Sequence, residues 1–218
     1  MSHHMDEEER LVAELELLGI RYLSRRTADQ AEHVRPPDAF LADLVRQPSA
    51  RVRASVIALL LAHPEHAEAV PAALERLRPD EQWTLRLFYT AAVLLQQEHA
   101  DRLWPFVTGQ RLPDRYTADL GLPATASLRE RLAALGQQHR QCTQAVVNWV
   151  GTYENVVRCL LRSWELEAKQ YRPEKGLLIV LDDIRRRPYL ADTGGERCTD
   201  DCPKRSSSQR NTDGCCEA

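Results

Sequence analysis

Lysine is nearly absent from this chain. Of its 29 basic residues against 32 acidic ones, only Lys169, Lys175 and Lys204 are lysines. Arginine therefore carries the positive charge, and its planar fork suits paired contacts to carboxylate or phosphate. The formal net charge of -3 provides no bulk attraction to nucleic acid or to an anionic membrane. Long apolar runs are missing too. Val56 to Ala62 and Leu177 to Leu181 fall far short of the roughly 20 residues that a bilayer span needs, so no membrane role is expected. The opening, Met1 to Glu9, is acidic where a secretory leader is basic and then apolar, which predicts a cytoplasmic location. His3 and His4 read as part of a frayed end rather than a metal site.

Recognisable chemistry is equally scarce. There is no Gly-x-x-x-x-Gly-Lys-Ser/Thr loop to cradle phosphates, so Leu177–Asp183, an apolar run ending in two acids, reads as a buried segment with a solvated end. Arg185, Arg186 and Arg187 follow it and complement a helix dipole. Cys198, Cys202, Cys215 and Cys216 lack the paired-knuckle spacing of a zinc ribbon. With Cys142 and Cys159 in helical segments, no disulfide framework is expected. His33, His63, His66, His99 and His139 are scattered over different segments, and no acid–histidine cluster shows metal or general-base spacing. His63 and His139, near helix ends, read as capping or surface residues. No catalytic residue, metal ligand or cofactor is assigned.

What the chain does have is helical apolar periodicity. In Pro48 to Leu61, Val52, Val56, Leu59 and Leu60 line one face and Ala54, Ala58 and Leu61 a second. Only a seam of Arg51 and Ser55 is left for water, so this helix must lie between neighbours. Before it, Leu11, Leu15, Leu18 and Tyr22 mark an amphipathic helix behind an acidic first turn. A polar linker from Thr27 to Pro36 then leads to a short helix with Phe40, Leu41, Leu44 and Val45. After it, Ala67, Val70, Leu74 and Leu77 predict an outer helix. From Trp83 to Leu95 comes a second helix buried on two sides, and Ala100 to Thr108 adds a shorter one that Pro105 starts or kinks.

Gly109, Pro113, Gly121 and Pro123 punctuate an ordered loop, with one helical turn around Asp114 to Leu120. Ser127 and Glu130 have capping-box spacing and start a helix with Leu128, Leu132 and Leu135, leading to a possible break at Gly136. A long helix is predicted over Thr143 to Gln170 on the stripe Val146, Val150, Tyr153, Val157, Leu160, Leu161 and Trp164. Glu174 to Arg187 fits a buried strand or a helix, and helix is favoured for want of a pairing strand. Asp192 to Ala218 carries too few large apolar groups to offset ordering entropy and is expected to be disordered.

The run Ser49 to Leu59, with Val52-Arg53 followed by small and aliphatic residues, resembles the second-helix signature of HEAT repeats. The resemblance implies a packing role for Val52, a polar-ladder role for Arg53 and a curved scaffold that binds another macromolecule. It covers Pro37 to Arg78 at most, and no second Val-Arg copy follows. The expected fold is therefore all-α: a HEAT-like domain of stacked hairpins over residues 1–110, a C-terminal helical bundle or cap over 111–191, and a Cys/Ser-rich tail over 192–218.

The candidate binding surface is on the long helix, where Asn148, Gly151, Thr152 and Asn155 recur at i, i+3, i+4 and i+7. Trp149 serves as an anchor, with Glu154 and Arg158 as flanking charges. The competing reading is that Gly151 admits a second helix and the asparagines satisfy backbone. With Arg53, the partner-binding set is Asn148, Trp149, Thr152, Asn155 and Arg158, and Trp83 and Trp104 are further anchors. The first functional expectation is a non-catalytic cytoplasmic scaffold or regulatory protein that binds a protein through a groove between helices. The second is nucleic-acid binding on a face lined by Arg51, Arg53, Arg158 and Arg162. The third, an enzyme, rests only on Tyr153, Glu154 and Asn155 near Trp149.

Overall fold

The computed structural model describes residues 6–23, 33–107, 110–143 and 147–170. Expectations for His3 and His4, for residues 27–32 of the linker, for Glu174–Arg187 and its acidic end, and for the tail with its four cysteines lie outside the described residues. Among the described residues the fold is all-α with no strand. No helix there is long and apolar enough to cross a membrane.

Helix α1 (Glu7–Leu17) starts on three glutamates, which suit the positive pole of its dipole. α2 spans Pro37–Arg46. The expected single helix from Pro48 is two pieces, α3 (Ala50–Arg53) and α4 (Ser55–Ala62). Between them Ala54 keeps helical angles (φ −66°, ψ −15°), and the Ser55 hydroxyl donates to Val52 O at 2.6 Å, a bond that competes with the backbone ladder for that carbonyl. Ser55 was expected in the solvent seam beside Arg51. It is fully buried, and only Arg51 faces water.

The expected outer helix also divides, into a 3-10 segment Pro64–Ala69 and α5 (Val70–Glu75), because Pro71 has no amide to continue the ladder. α6 covers Pro79–Glu98 and α7 only Ala100–Leu103, with Pro105 ending the regular helix early. α8 covers Leu128–Thr143 behind the predicted capping box. In that box Ser127 N–H donates to Glu130 Oε2 at 2.8 Å, and Glu130 N–H donates to Ser127 Oγ at 3.3 Å. The helix runs through Gly136 without a break. α9 (Trp149–Gln170) begins later than the predicted Thr143, which closes α8 instead.

α4 and α6 pack against each other in the middle. α2 and α5 pair on one flank, and the α8–α9 hairpin covers the other. Val56 to Leu61 of α4 are completely buried, as are Leu85 and Leu87 to Leu95 of α6 apart from traces at Thr90 and Val93. Each buried Leu, Ile or Val contributes ~1.5–3 kcal/mol relative to exposure. One continuous core runs from Leu11 in α1 to Leu161 in α9.

Two polar assemblies tie the layers. Arg35 joins α1 to α2: its guanidinium donates to both oxygens of Glu14 (2.7–3.1 Å), to Glu7 (2.7 Å) and to Asp43 (2.6 Å). Burial alone would ease its proton off, but these carboxylates outweigh that and hold it more firmly. The loop from Gln110 to Leu122 is fastened to α6 and α8. Gln96 donates to Gln110 O (3.1 Å) and accepts from Leu112 N–H (2.8 Å). Tyr89 donates to Pro113 O (2.7 Å) and Gln138 to Leu120 O (2.7 Å). The predicted turn is present, with Thr117 N–H donating to Asp114 Oδ1 at 3.2 Å.

Candidate functional site

The predicted strip on α9 is partly a helix start. Asn148 is non-helical and its Oδ1 accepts from Gly151 N–H at 3.0 Å, satisfying one free amide of the first turn. Thr152 donates its hydroxyl to Asn148 O at 3.0 Å. The nearest neighbour a Cβ on Gly151 would meet is the Asn148 side chain, at 2.8 Å from Nδ2. The close approach occurs at Gly136, where a Cβ would stand 2.7 Å from Val150 Cγ2 and 3.3 Å from its backbone nitrogen.

Trp149 is a correction to the expected surface anchor. It points inward and is almost completely buried, stacked on His139 with ring centroids 3.6 Å apart and planes 6° from parallel. Being the first residue of α9, it faces the hairpin partner α8 and not solvent. His139, expected as a capping or surface residue, is fully buried. Its Nδ1 shares a hydrogen bond of 2.7 Å with the Tyr153 hydroxyl, and Phe88 meets its ring edge-on at 5.0 Å. Burial first, and the charge of Arg53 second, push the His139 pKa down to about 3, so the ring is neutral at ordinary pH. Burial also pushes the Tyr153 hydroxyl up. His139 Nε2 and Trp149 Nε1 are buried without a hydrogen-bond partner among the described residues. The spacing Leu128, Leu132, Leu135, His139 continues the apolar stripe of α8 and was the signal that places this histidine inside.

The remaining predicted residues separate. Arg53 donates to Gln47 O (2.8 Å) and Pro48 O (3.2 Å), so its guanidinium secures the α2–α3 turn. Val52 packs inside, and Trp83 and Trp104 are half-buried. Asn155 Oδ1 accepts from Arg158 at 2.6 Å on the exposed side of α9. Arg158, Arg162 and Leu166 follow one another there at four-residue intervals, all exposed, and Leu166 at 48% is the one exposed large apolar side chain among the described residues. Arg51 is exposed on α3. It donates to Tyr22 O at 2.8 Å, and both it and Cys159 of α9 act on the buried Tyr22 hydroxyl, whose proton is held firmly, chiefly by burial. Arg21 reaches Glu167 of α9 at 3.4 Å. Arg51, Arg158 and Arg162 pair with no carboxylate within 4.0 Å among the described residues, unlike Arg102 with Glu165 and Arg115 with Glu68.

A second assembly was missed by spacing alone. Where α4 ends, His63, Glu65 and His66 bring one ligand atom each to within 4.8 Å of one another. His63 donates Nε2–H to Leu18 O (2.8 Å) and Nδ1–H to Glu65 Oε1 (3.0 Å). Burial disfavours the charged ring, but the bonds to Glu65 and Leu18 outweigh it and raise the pKa. Burial works against the Glu65 charge too, yet its hydrogen bond from His63 lowers its pKa overall. His66 is pushed down to about 4, by burial first and by His63 second. The sequence signal was the tight His-Pro-Glu-His run.

No protein-family model, curated protein or solved structure matches this chain.

Proposed function

We propose that the protein is a cytoplasmic helical scaffold that binds a partner protein through an acidic segment laid along α9. The observation that carries this reading is the exposed line Arg158, Arg162 and Leu166. Guanidinium groups that pair with no carboxylate among the described residues suit forked bonds to Asp or Glu side chains. Leu166 adds an apolar contact at one end of the line. The side-by-side packing of α2 with α5 and of α4 with α6 supports the HEAT-like reading of the first half, in which paired helices form a rigid platform. The surface is the solvent side of α9 beside the Tyr22 turn, and Trp149 takes no part in it.

The test is affinity capture from native cytoplasm with the wild-type chain and with the double variant Arg158→Glu/Arg162→Glu, each with nuclease added. A stoichiometric protein retained by the wild type and lost by the variant supports the proposal. Equal capture by both chains overturns it. Nuclease-sensitive capture whose affinity falls steeply with salt would replace it with phosphate-backbone binding.

A further inference from the structure

We infer that His63, Glu65 and His66 form a binding site for a divalent transition cation of the zinc class. The donors are two imidazole nitrogens and a carboxylate oxygen, the set that holds zinc with a fourth position left for water. Their ligand atoms already lie within 4.8 Å of one another, and the His63–Glu65 pair is at 3.0 Å. Tetrahedral ligation at about 2.0–2.1 Å puts ligands roughly 3.3 Å apart, so the cluster needs only a small inward movement. Glu65, exposed at the rim, has the freedom to make it and leaves an entry path from solvent.

His66 supplies the independent observation. It is only 3% exposed, and neither ring nitrogen has a hydrogen-bond partner among the described residues. A buried imidazole with both nitrogens unsatisfied costs free energy, and an ion on the nitrogen facing His63 and Glu65 removes part of that cost. His63 is oriented as a ligand should be. Its Nε2–H is anchored on Leu18 O, the kind of backbone bond that fixes the orientation of a metal-binding histidine, and the ion would take the place of the proton that Nδ1 shares with Glu65. Leu18 is the residue that closes α1, so an ion at this place fastens the end of α4 to the end of α1. Pro64, between the ligands, restricts the turn that sets their spacing. This site is separate from the α9 surface, and neither inference depends on the other.

Zn2+ titrated calorimetrically into the full chain tests the assignment, with Co2+ as a spectroscopic substitute that shows thiolate ligation by its near-ultraviolet bands. His66→Phe is expected to lose one equivalent of thiolate-free binding. Glu65→Gln, a change at an exposed side chain that leaves the fold intact, should weaken that equivalent at least about tenfold. Zn2+ should raise the melting temperature of the wild type more than that of Glu65→Gln. Wild-type stoichiometry and affinity in Glu65→Gln, or thiolate bands accounting for every bound Co2+, would overturn the site.

Discussion

Arg35→Met is expected to cost this protein about 3–4 kcal/mol, close to the loss seen when one partner of a buried ion pair is removed. Arg35 is 16% exposed and Glu14 only 8%, so water cannot replace the guanidinium at the Glu14 carboxylate. Among the described residues that carboxylate would keep a single bond, from the Arg35 backbone N–H at 3.0 Å. Glu7 and Asp43 are 43% and 29% exposed; they can rehydrate, and each adds no more than ~0–1 kcal/mol. Most of the penalty is therefore one stranded charge. Adding Glu14→Gln removes that charge while keeping an acceptor for the Arg35 amide, so the double variant should recover about 2 kcal/mol. Urea unfolding with an unchanged m-value measures all three proteins. A loss below ~1 kcal/mol in Arg35→Met, or a double variant no more stable than the single one, would refute the argument.

Gly136→Ala should destabilise by ~1–2 kcal/mol, the overpacking against Val150 exceeding the gain in helix propensity. Gly151→Ala, whose new methyl first meets a side-chain amide, should cost less, and thermal melts of the pair would expose an inverted order. His139 makes stability depend on acid. Its folded pKa, about 3, lies below the ~6.5 of a free histidine. The neutral ring's contribution is complete above about pH 6.5 and is lost as the pH falls towards 3, by up to ~1.4 kcal/mol per pH unit. Urea midpoints between pH 6 and 4 should therefore fall more steeply for the wild type than for His139→Gln, and parallel slopes would count against a buried neutral imidazole.

Helical periodicity made most of the architecture readable. The two-sided apolar pattern of Val56 to Leu61 and of Leu85 to Leu95 placed both helices between layers, and the structure has them there. The capping box at Ser127 marked the start of α8 to the residue. Finer features depended on contacts a pattern does not carry. The interruption at Ala54 coincides with a bond from the Ser55 hydroxyl, whose choice of acceptor is set by its surroundings. Trp149 looked like an anchor because an aromatic beside small polar residues is ambiguous until the hairpin partner is known. Only the fold of α8 against α9 brings His139 under its ring. Gly151 read as a close approach and Gly136 as a break, yet it is at Gly136 that the nearest atoms come from a neighbouring helix. The histidine–glutamate cluster escaped because its ligands share one turn whose geometry, shaped by Pro64, is not a helical repeat.

The fastening of Gln110 to Leu122 onto α6 and α8 bears on how two copies of this chain meet. Exchange of the α8–α9 hairpin between molecules would need this connection to straighten into an open hinge. Gln96 engages it through both ends of its amide, and Tyr89 and Gln138 hold it on either side. Opening would strip those backbone groups of their partners before any intermolecular contact replaced them, so the connection opposes domain swapping and keeps each hairpin on its own core.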